Sequence, residues 1–139
     1  MNKYLVIGNP IAHSLSPLLH NYWFKKHRFF DSIYEKKKVE KNDLKKIIEQ
    51  IKEGEIKGVN VTVPFKREIF NYIDSAPKDV QFTKSVNTLV KENNKVIGYN
   101  TDQQGFEISL EENDWVSKNK KVLIIGAGGV APSILSSFI

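Results

Sequence analysis

Residues 3–8 (Lys3-Tyr4-Leu5-Val6-Ile7-Gly8) form a short apolar run broken by Asn9-Pro10, the pattern of a buried strand. Ser16-Pro17 then predicts a helix start, because serine caps orphan backbone N–H groups and proline suits the first helical turn. Leu18, Leu19, Tyr22 and Trp23 follow at helical spacing. Residues 32–39 predict a second strand. Asn42 or Asp43 is placed to cap a helix whose Leu44, Ile47, Ile48 and Ile51 form one apolar stripe, and Gly54 closes it. Residues 56–63 alternate, with Val59, Val61 and Val63 on one face and Asn60 and Thr62 on the other, and Pro64 ends that strand. A short helix is expected roughly to Tyr72, and Ser75-Ala76-Pro77 starts another helical turn. Residues 85–90 and 95–99 read as two strands joined across Asn93-Asn94. Asp102 is placed to cap a helix running to about Glu112. A polar link over 113–120 leads to an apolar strand at 121–125, then Gly126-Ala127-Gly128-Gly129 and the opening of an apolar helix at 131–139.

Strands alternating with helices predict an α/β fold with a mostly parallel sheet, and the expected architecture is three-layer α/β/α. A domain boundary is expected near residue 103, with the 103–112 helix joining two units. A βαβ unit needs roughly 30 or more residues. The strand beginning at 121 has too few after it, so the chain is expected to be a piece of a longer protein.

Composition narrows the classes. At 139 residues there is material for one compact core, and 40% hydrophobic with 27% charged residues is ordinary for a soluble globular chain. No run approaches the roughly 18 apolar residues of a membrane span, and the strand begins too early to leave room for a signal peptide. Absence of cysteine excludes disulfides and thiolate metal sites and fits a reducing cytoplasm. The net charge is +5, but the lysines are dispersed and no basic run exceeds Lys36-Lys37-Lys38. This charge is read as a solvated surface that helps capture anionic ligands, with neither nucleic acid nor membrane as partner. His13, His20 and His27 recur every seven residues without acidic neighbours in a metal pattern. No metal is expected.

Two features carry chemistry. Gly126, Gly128 and Ala131 match G-x-G-x-x-[GA] between a predicted strand and helix, the context of a dinucleotide-binding turn. The first glycine allows the turn, and the second lets backbone N–H groups approach a pyrophosphate. Only 13 residues follow Gly126. The residue that distinguishes NAD from NADP normally lies about 20 further on, outside this sequence.

The second feature is a set of polar residues at predicted strand ends: Ser14 and Ser16, Thr62 and Lys66, Ser85 and Asn87, and Asn100 to Asp102. Ligands of open α/β sheets bind beyond the carboxyl ends of strands, and a lysine beside an aspartate suits proton transfer to an alcohol. Each residue also has an ordinary reading. Ser16 and Asp102 serve as helix caps, Thr62 as a good strand residue and Lys66 as a solvated surface lysine. Asn87 is less ordinary, since strands are depleted in asparagine.

Taken together, Ser14-Leu15-Ser16-Pro17, Asn60-Val61-Thr62-Val63-Pro64-Phe65-Lys66, Ser85-Val86-Asn87-Thr88, Gly98-Tyr99-Asn100-Thr101-Asp102 and Gly126-Ala127-Gly128-Gly129 stand in the order and spacing of shikimate dehydrogenases. The sequence resembles the N-terminal half of that family over essentially its whole length. The resemblance implies reversible NADPH-dependent reduction of 3-dehydroshikimate to shikimate, on the route through chorismate to aromatic amino acids. It implies a shikimate-binding catalytic domain at 1–103. It also implies a linker helix and the first strand and helix of a truncated Rossmann-like NADP-binding domain at 104–139.

By motif, Lys66 and Asp102 form the catalytic pair. Ser14 and Ser16 contact the substrate carboxylate, and Thr62, Asn87 and Asp102 bind ring hydroxyls. Gly126, Ala127, Gly128 and Gly129 cradle the cofactor. A homodimer is compatible with the resemblance. A quinate/shikimate dehydrogenase with relaxed cofactor use and a non-catalytic shikimate-binding module remain open alternatives. The family's basic motif for the NADP phosphate and its later substrate contacts are missing, so the isolated chain is expected to have little or no dehydrogenase activity.

Overall fold

The computed structural model describes residues 1–115 and 121–138. Five strands form one open sheet: β1 (Asn2–Gly8), β2 (Ser32–Lys38), β3 (Gly58–Val61), β4 (Thr88–Glu92) and β5 (Lys95–Tyr99). Their spatial order is β2-β1-β3-β4-β5. The long ladder of β1 with β2 and that of β1 with β3 are parallel, making a parallel core. β4 and β5 add an antiparallel hairpin to one side of it. Asn93 and Asn94 both adopt positive φ (46° and 63°) at its tip. That is the backbone a tight two-residue hairpin turn demands and asparagine tolerates.

The helices are α1 (Ser16–Lys26), α2 (Leu44–Glu53), α3 (Lys78–Thr83), α4 (Asp102–Glu112) and α5 (Ala131–Ser136). Side chains alternate across β1, so Leu5 and Ile7 point to one face and Tyr4 and Val6 to the other. Leu5 and Ile7 join Val59, Val61, Leu89 and the α2 stripe Leu44, Ile47, Ile48 and Ile51 in the main core. Val6, Ile11 and Tyr34 form a smaller cluster on the opposite face, with Tyr4 and Phe24 packed against it. Helices on both faces give the expected three layers.

Several local expectations change. Helix α1 forms where expected, but none of its residues is fully buried. It docks through Phe24, whose ring lies 5.2 Å from Tyr4, and through His20, which stacks on Tyr34 at 4.2 Å. Leu18, Leu19, Tyr22 and Trp23 face outward. The hydroxyl that accepts from the helix start is Ser14 Oγ, 3.4 Å from the Ser16 N–H, so Ser16 is not the cap. Asp43 accepts the Glu40 N–H at 2.7 Å and so closes a 3-10 turn just before α2 rather than capping α2 itself.

Strand β3 stops at Val61, because the chain turns at once and the Phe65 N–H bonds the Thr62 carbonyl at 2.9 Å. Val63 is therefore exposed instead of joining Val59 and Val61 in the core. Residues 121–125 are not a strand, and Val122, Leu123, Ile124 and Ile125 are solvent-exposed. No neighbouring strand pairs with them among the described residues, and an apolar run without ladder partners has nothing to hold it extended. Residues 116–120 of the expected polar link, and Ile139, lie outside the described residues. Among the described residues no helix is long and apolar enough to cross a membrane.

Each outer strand has part of its free edge covered. On β2, the Asn21 side chain of α1 donates to the Tyr34 carbonyl at 2.8 Å and accepts from the Tyr34 N–H at 2.9 Å, standing in for a neighbouring strand. On β5, the Val96 N–H donates to the Asp74 carboxylate (2.8 Å), the Val96 carbonyl accepts from the Asp74 N–H (2.9 Å), and the Gly98 N–H donates to the Ser75 carbonyl (3.0 Å).

Ile51 is fully enclosed and Leu18 is 75% exposed. Ile51→Ala is therefore expected to lower the unfolding free energy in urea by about 2–5 kcal/mol, and Leu18→Ala by less than about 0.5 kcal/mol.

Asp74 gives a pH-dependent counterpart. The hydrogen bond from the Lys52 ammonium, then that from the Val96 N–H, hold its carboxyl below the ordinary 3.8. A depressed carboxyl contributes fully above its unfolded value and loses that contribution as pH falls through the folded one. The gap in Tm between the protein and Asp74→Asn is expected to be constant near neutrality and to close below about pH 4.

Candidate active site

Topology brings the polar segments to one end of the sheet. The parallel strands β1 and β3 end there, β4 runs the opposite way and begins there, and β5, reversed again, ends there. Ser14 and Ser16 follow β1, Thr62 and Lys66 follow β3, Asn87 precedes β4, and Asp102 follows β5 and opens α4.

At the centre, Lys66 Nζ donates to Asp102 Oδ2 at 2.7 Å, with side-chain exposures of only 16% and 22%. The other carboxylate oxygen, Oδ1, accepts from Asn87 Nδ2 at 2.9 Å. Asn87 also donates to Thr101 Oγ1 (2.9 Å), and its Oδ1 accepts from the Thr88 hydroxyl (2.9 Å) and the Thr101 N–H (3.1 Å). The amide thus has both donors and both acceptor positions engaged. Asp102 does not cap α4 with its side chain. Its carboxylate faces Lys66 and Asn87, and Asn100 Oδ1 accepts the Asp102 N–H at 2.8 Å instead. The backbone of Lys66 is fixed as well, its carbonyl accepting the Val86 N–H at 2.8 Å.

At the same end of the sheet, Ser14, Ser16, Thr62 and His13 line a cavity of about 400 Å³ with Ile11 and Val63. The approach of β1 to the Thr62 turn depends on Gly8. A Cβ there would stand 2.6 Å from Thr62 Cγ2 and 2.9 Å from the Val63 carbonyl, so the end of β1 can approach the Thr62 turn only without a side chain.

A second cleft of about 380 Å³ lies between Val63, Pro64 and Lys66 on one side and Gly128, Gly129 and Val130 on the other. Val63 borders both. The glycine turn is held against the sheet by Ser85 Oγ, which donates to the Gly129 carbonyl at 2.6 Å. Asn100 Nδ2 donates to Ser133 Oγ at 2.7 Å and to the Ser85 carbonyl at 2.8 Å.

The arrangement gathers Lys66, Asp102 and Asn87 in one hydrogen-bonded cluster, and Ser14, Ser16 and Thr62 around the cavity. Gly128 and Gly129 border the Lys66 cleft, whereas Gly126 and Ala127 are exposed and line neither space. Ser85, Asn100, Thr101 and Ser133 hold the cluster and the turn in place, a role that polar character at a strand end does not by itself specify. Asn100, two residues before an acidic helix start, carries the only local clue, an Asx-type turn.

For a dinucleotide, the fit is set by the turn. At Gly126 and Gly128 nothing stands within 4 Å of where a Cβ would be, leaving the backbone open to a bulky anion. The residues present are compatible with such a group, and the cleft joins Gly128 and Gly129 to Lys66.

The α/β fold thus places a shielded ammonium–carboxylate pair and a hydroxyl-lined cavity at one end of its sheet. The chain belongs to the shikimate dehydrogenase substrate-binding domain family, whose model matches residues 6–89. A shikimate dehydrogenase (NADP(+)) of Pelagibacter ubique is 48% identical over 132 residues, covering 95% of this chain and 49% of that protein. One from Pyrococcus furiosus is 44% identical over 131 residues, covering 94% and 47%.

Among solved structures, shikimate dehydrogenase 1 of Peptoclostridium difficile superposes with a TM-score of 0.91 at 33% identity, covering 99% of this chain and 52% of that one. The Thermus thermophilus enzyme in complex with NADP(H) and shikimate gives 0.87 at 27% identity, covering 99% and 51%. The chain spans about half the length of the curated relatives it matches.

Ser85→Ala is expected to free the glycine turn. Backbone amides of residues 129–134 should exchange with deuterium about fivefold faster, the factor of one net hydrogen bond, while those of β1 stay unchanged.

Proposed function

We propose that this chain is the substrate-binding and catalytic portion of an NADP-dependent shikimate dehydrogenase acting in the cytoplasm. Residues 1–103 form the shikimate-binding unit, and 104–139 the linking helix and the start of a cofactor-binding unit. The observation that carries this reading is the 2.7 Å Lys66–Asp102 contact, shielded from water at the same sheet end as the serine- and threonine-lined cavity.

The bound substrate lies across Val63, with its carboxylate toward the Ser14 and Ser16 hydroxyls and its ring hydroxyls toward Thr62, Asp102 and Asn87, where a ring hydroxyl takes over the Asn87 Nδ2 hydrogen now given to Thr101 Oγ1. Its reacting carbonyl oxygen points at Lys66. The nicotinamide, when bound, supplies hydride to the carbonyl carbon. Charge then builds on the oxygen, and the Lys66 ammonium both stabilises that charge and donates the proton that makes the alcohol. In the reverse direction the amine takes the hydroxyl proton. Asp102 accepts from the ammonium and from a ring hydroxyl, so it aims Lys66 and fixes the ring together. Gly126, Ala127, Gly128 and Gly129 leave backbone accessible to the cofactor's phosphates.

Calorimetric titration of the 139-residue chain with shikimate is expected to give one site, weakened about 5- to 30-fold by Thr62→Ala through loss of one or two kcal/mol. In a longer protein containing this segment, Lys66→Met is expected to lower kcat by about 10²–10⁴ with a much smaller change in KM. Equal losses in kcat and affinity would make Lys66 a binding residue only.

A further inference from the structure

The Asp102 carboxylate is the end of a chain of hydrogen bonds that crosses the sheet from its opposite edge. The Tyr34 hydroxyl on β2 donates to Asn60 Oδ1 on β3 at 2.6 Å. Asn60 Nδ2 donates to Thr88 Oγ1 on β4 at 3.1 Å and to the Asn87 carbonyl at 3.3 Å. The Thr88 hydroxyl donates to Asn87 Oδ1, and Asn87 Nδ2 donates to Asp102 Oδ1, each at 2.9 Å.

Every bond points the same way, toward the carboxylate. Asn60 pairs directly with Thr88 in the β3–β4 ladder, so the strand register itself sets this contact. Bonds aligned in one direction polarise one another and strengthen together. The direction is also enforced. The Asp102 carboxylate, which can only accept, sets it at one end, and burial pushes the Tyr34 phenol up to about 12, keeping its proton in place at the other. The Asn21 side chain grips the Tyr34 backbone on both sides, and His20 stacks on its ring.

We propose that Asn60 and Thr88, anchored by Tyr34, are positioning residues for the Lys66–Asp102 pair. Together with the Thr101 N–H, which also donates to Asn87 Oδ1 at 3.1 Å, they fix which way the Asn87 amide faces, so that its N–H rather than its oxygen meets Asp102. With Asn87 flipped, its oxygen would confront the carboxylate, and Asp102 would swing away from Lys66 and from a ligand hydroxyl. The consequence for shikimate rests on the function proposed above, but the orientation of Asn87 does not.

The side-chain NH₂ resonances of Asn87 in the 139-residue chain read this orientation directly. In Thr88→Val their hydrogen exchange is expected to rise about fivefold or more. Thr88→Ser should restore the slow rate, and Tyr34→Phe should give a smaller rise. As a control for general loosening, Leu89→Ala removes a core side chain from the same strand and should leave Asn87 exchange near its original rate. Unchanged exchange in Thr88→Val, or an equal rise in Leu89→Ala, overturns the proposal.

If Thr88→Val does not fold, Thr88→Ser and Tyr34→Phe decide it. Slow exchange in the first with faster exchange in the second supports the chain of bonds, and equal rates in both overturn it. Shikimate titration separates the two readings. Absence of binding to the unsubstituted chain removes the functional proposal, while the Asn87 exchange rates still decide the positioning one.

Discussion

The Lys66 ammonium and the Asp102 carboxylate lie 2.7 Å apart with most of their surface removed from water. Two opposite charges in that setting are costly unless each keeps further hydrogen bonds, because desolvation can exceed their mutual attraction. The surrounding architecture answers this for the carboxylate and holds both partners in place. Asn87 supplies the second donor to the carboxylate, Val86 fixes the lysine backbone, and Asn100 releases Asp102 from capping its own helix. The pair belongs to segments after β3 and after β5, so its geometry depends on a sheet whose register holds those two ends together.

The elements with a strong local signature were legible in the sequence. The α2 stripe, the two-asparagine turn with β5, and β1 form where period and turn chemistry put them, whereas β4 starts at Thr88 rather than at 85 and so leaves Ser85 and Asn87 in the preceding loop. What failed depended on partners. The α1 residues at helical spacing form a helix, but which side packs is decided by Tyr34 and Tyr4, which prefer His20, Asn21 and Phe24. The run at 121–125 has strand composition and no strand beside it among the described residues. A strand is a property of a pair, and a single segment cannot declare it.

The site was legible to a different depth. Lys66, Asp102 and the serines follow from strand ends together with the family resemblance, and the ion pair they were expected to make is present. Asn60, Thr88 and Tyr34 were passed over because their connection runs across three strands, between residues 26 to 28 positions apart. Asparagine inside an apolar alternating strand is the same anomaly that drew attention to Asn87. Applied to Asn60, it would have raised the same question. Gly8 is a similar case, since a strand-ending glycine gives no hint that a threonine methyl will lie where its side chain would be.

The partial covering of both outer strands bears on how the molecule behaves in a crowd. Unpaired strand borders are templates on which other chains assemble, and proteins that leave them bare are prone to fibrous growth. Here a single asparagine amide shields one border and the Asp74-Ser75 segment shields the other, while Lys36, Lys37 and Lys38 add mutual repulsion along β2. Small local devices, each only a few atoms in size, thus reduce the length of bare strand that a five-stranded sheet offers to its neighbours.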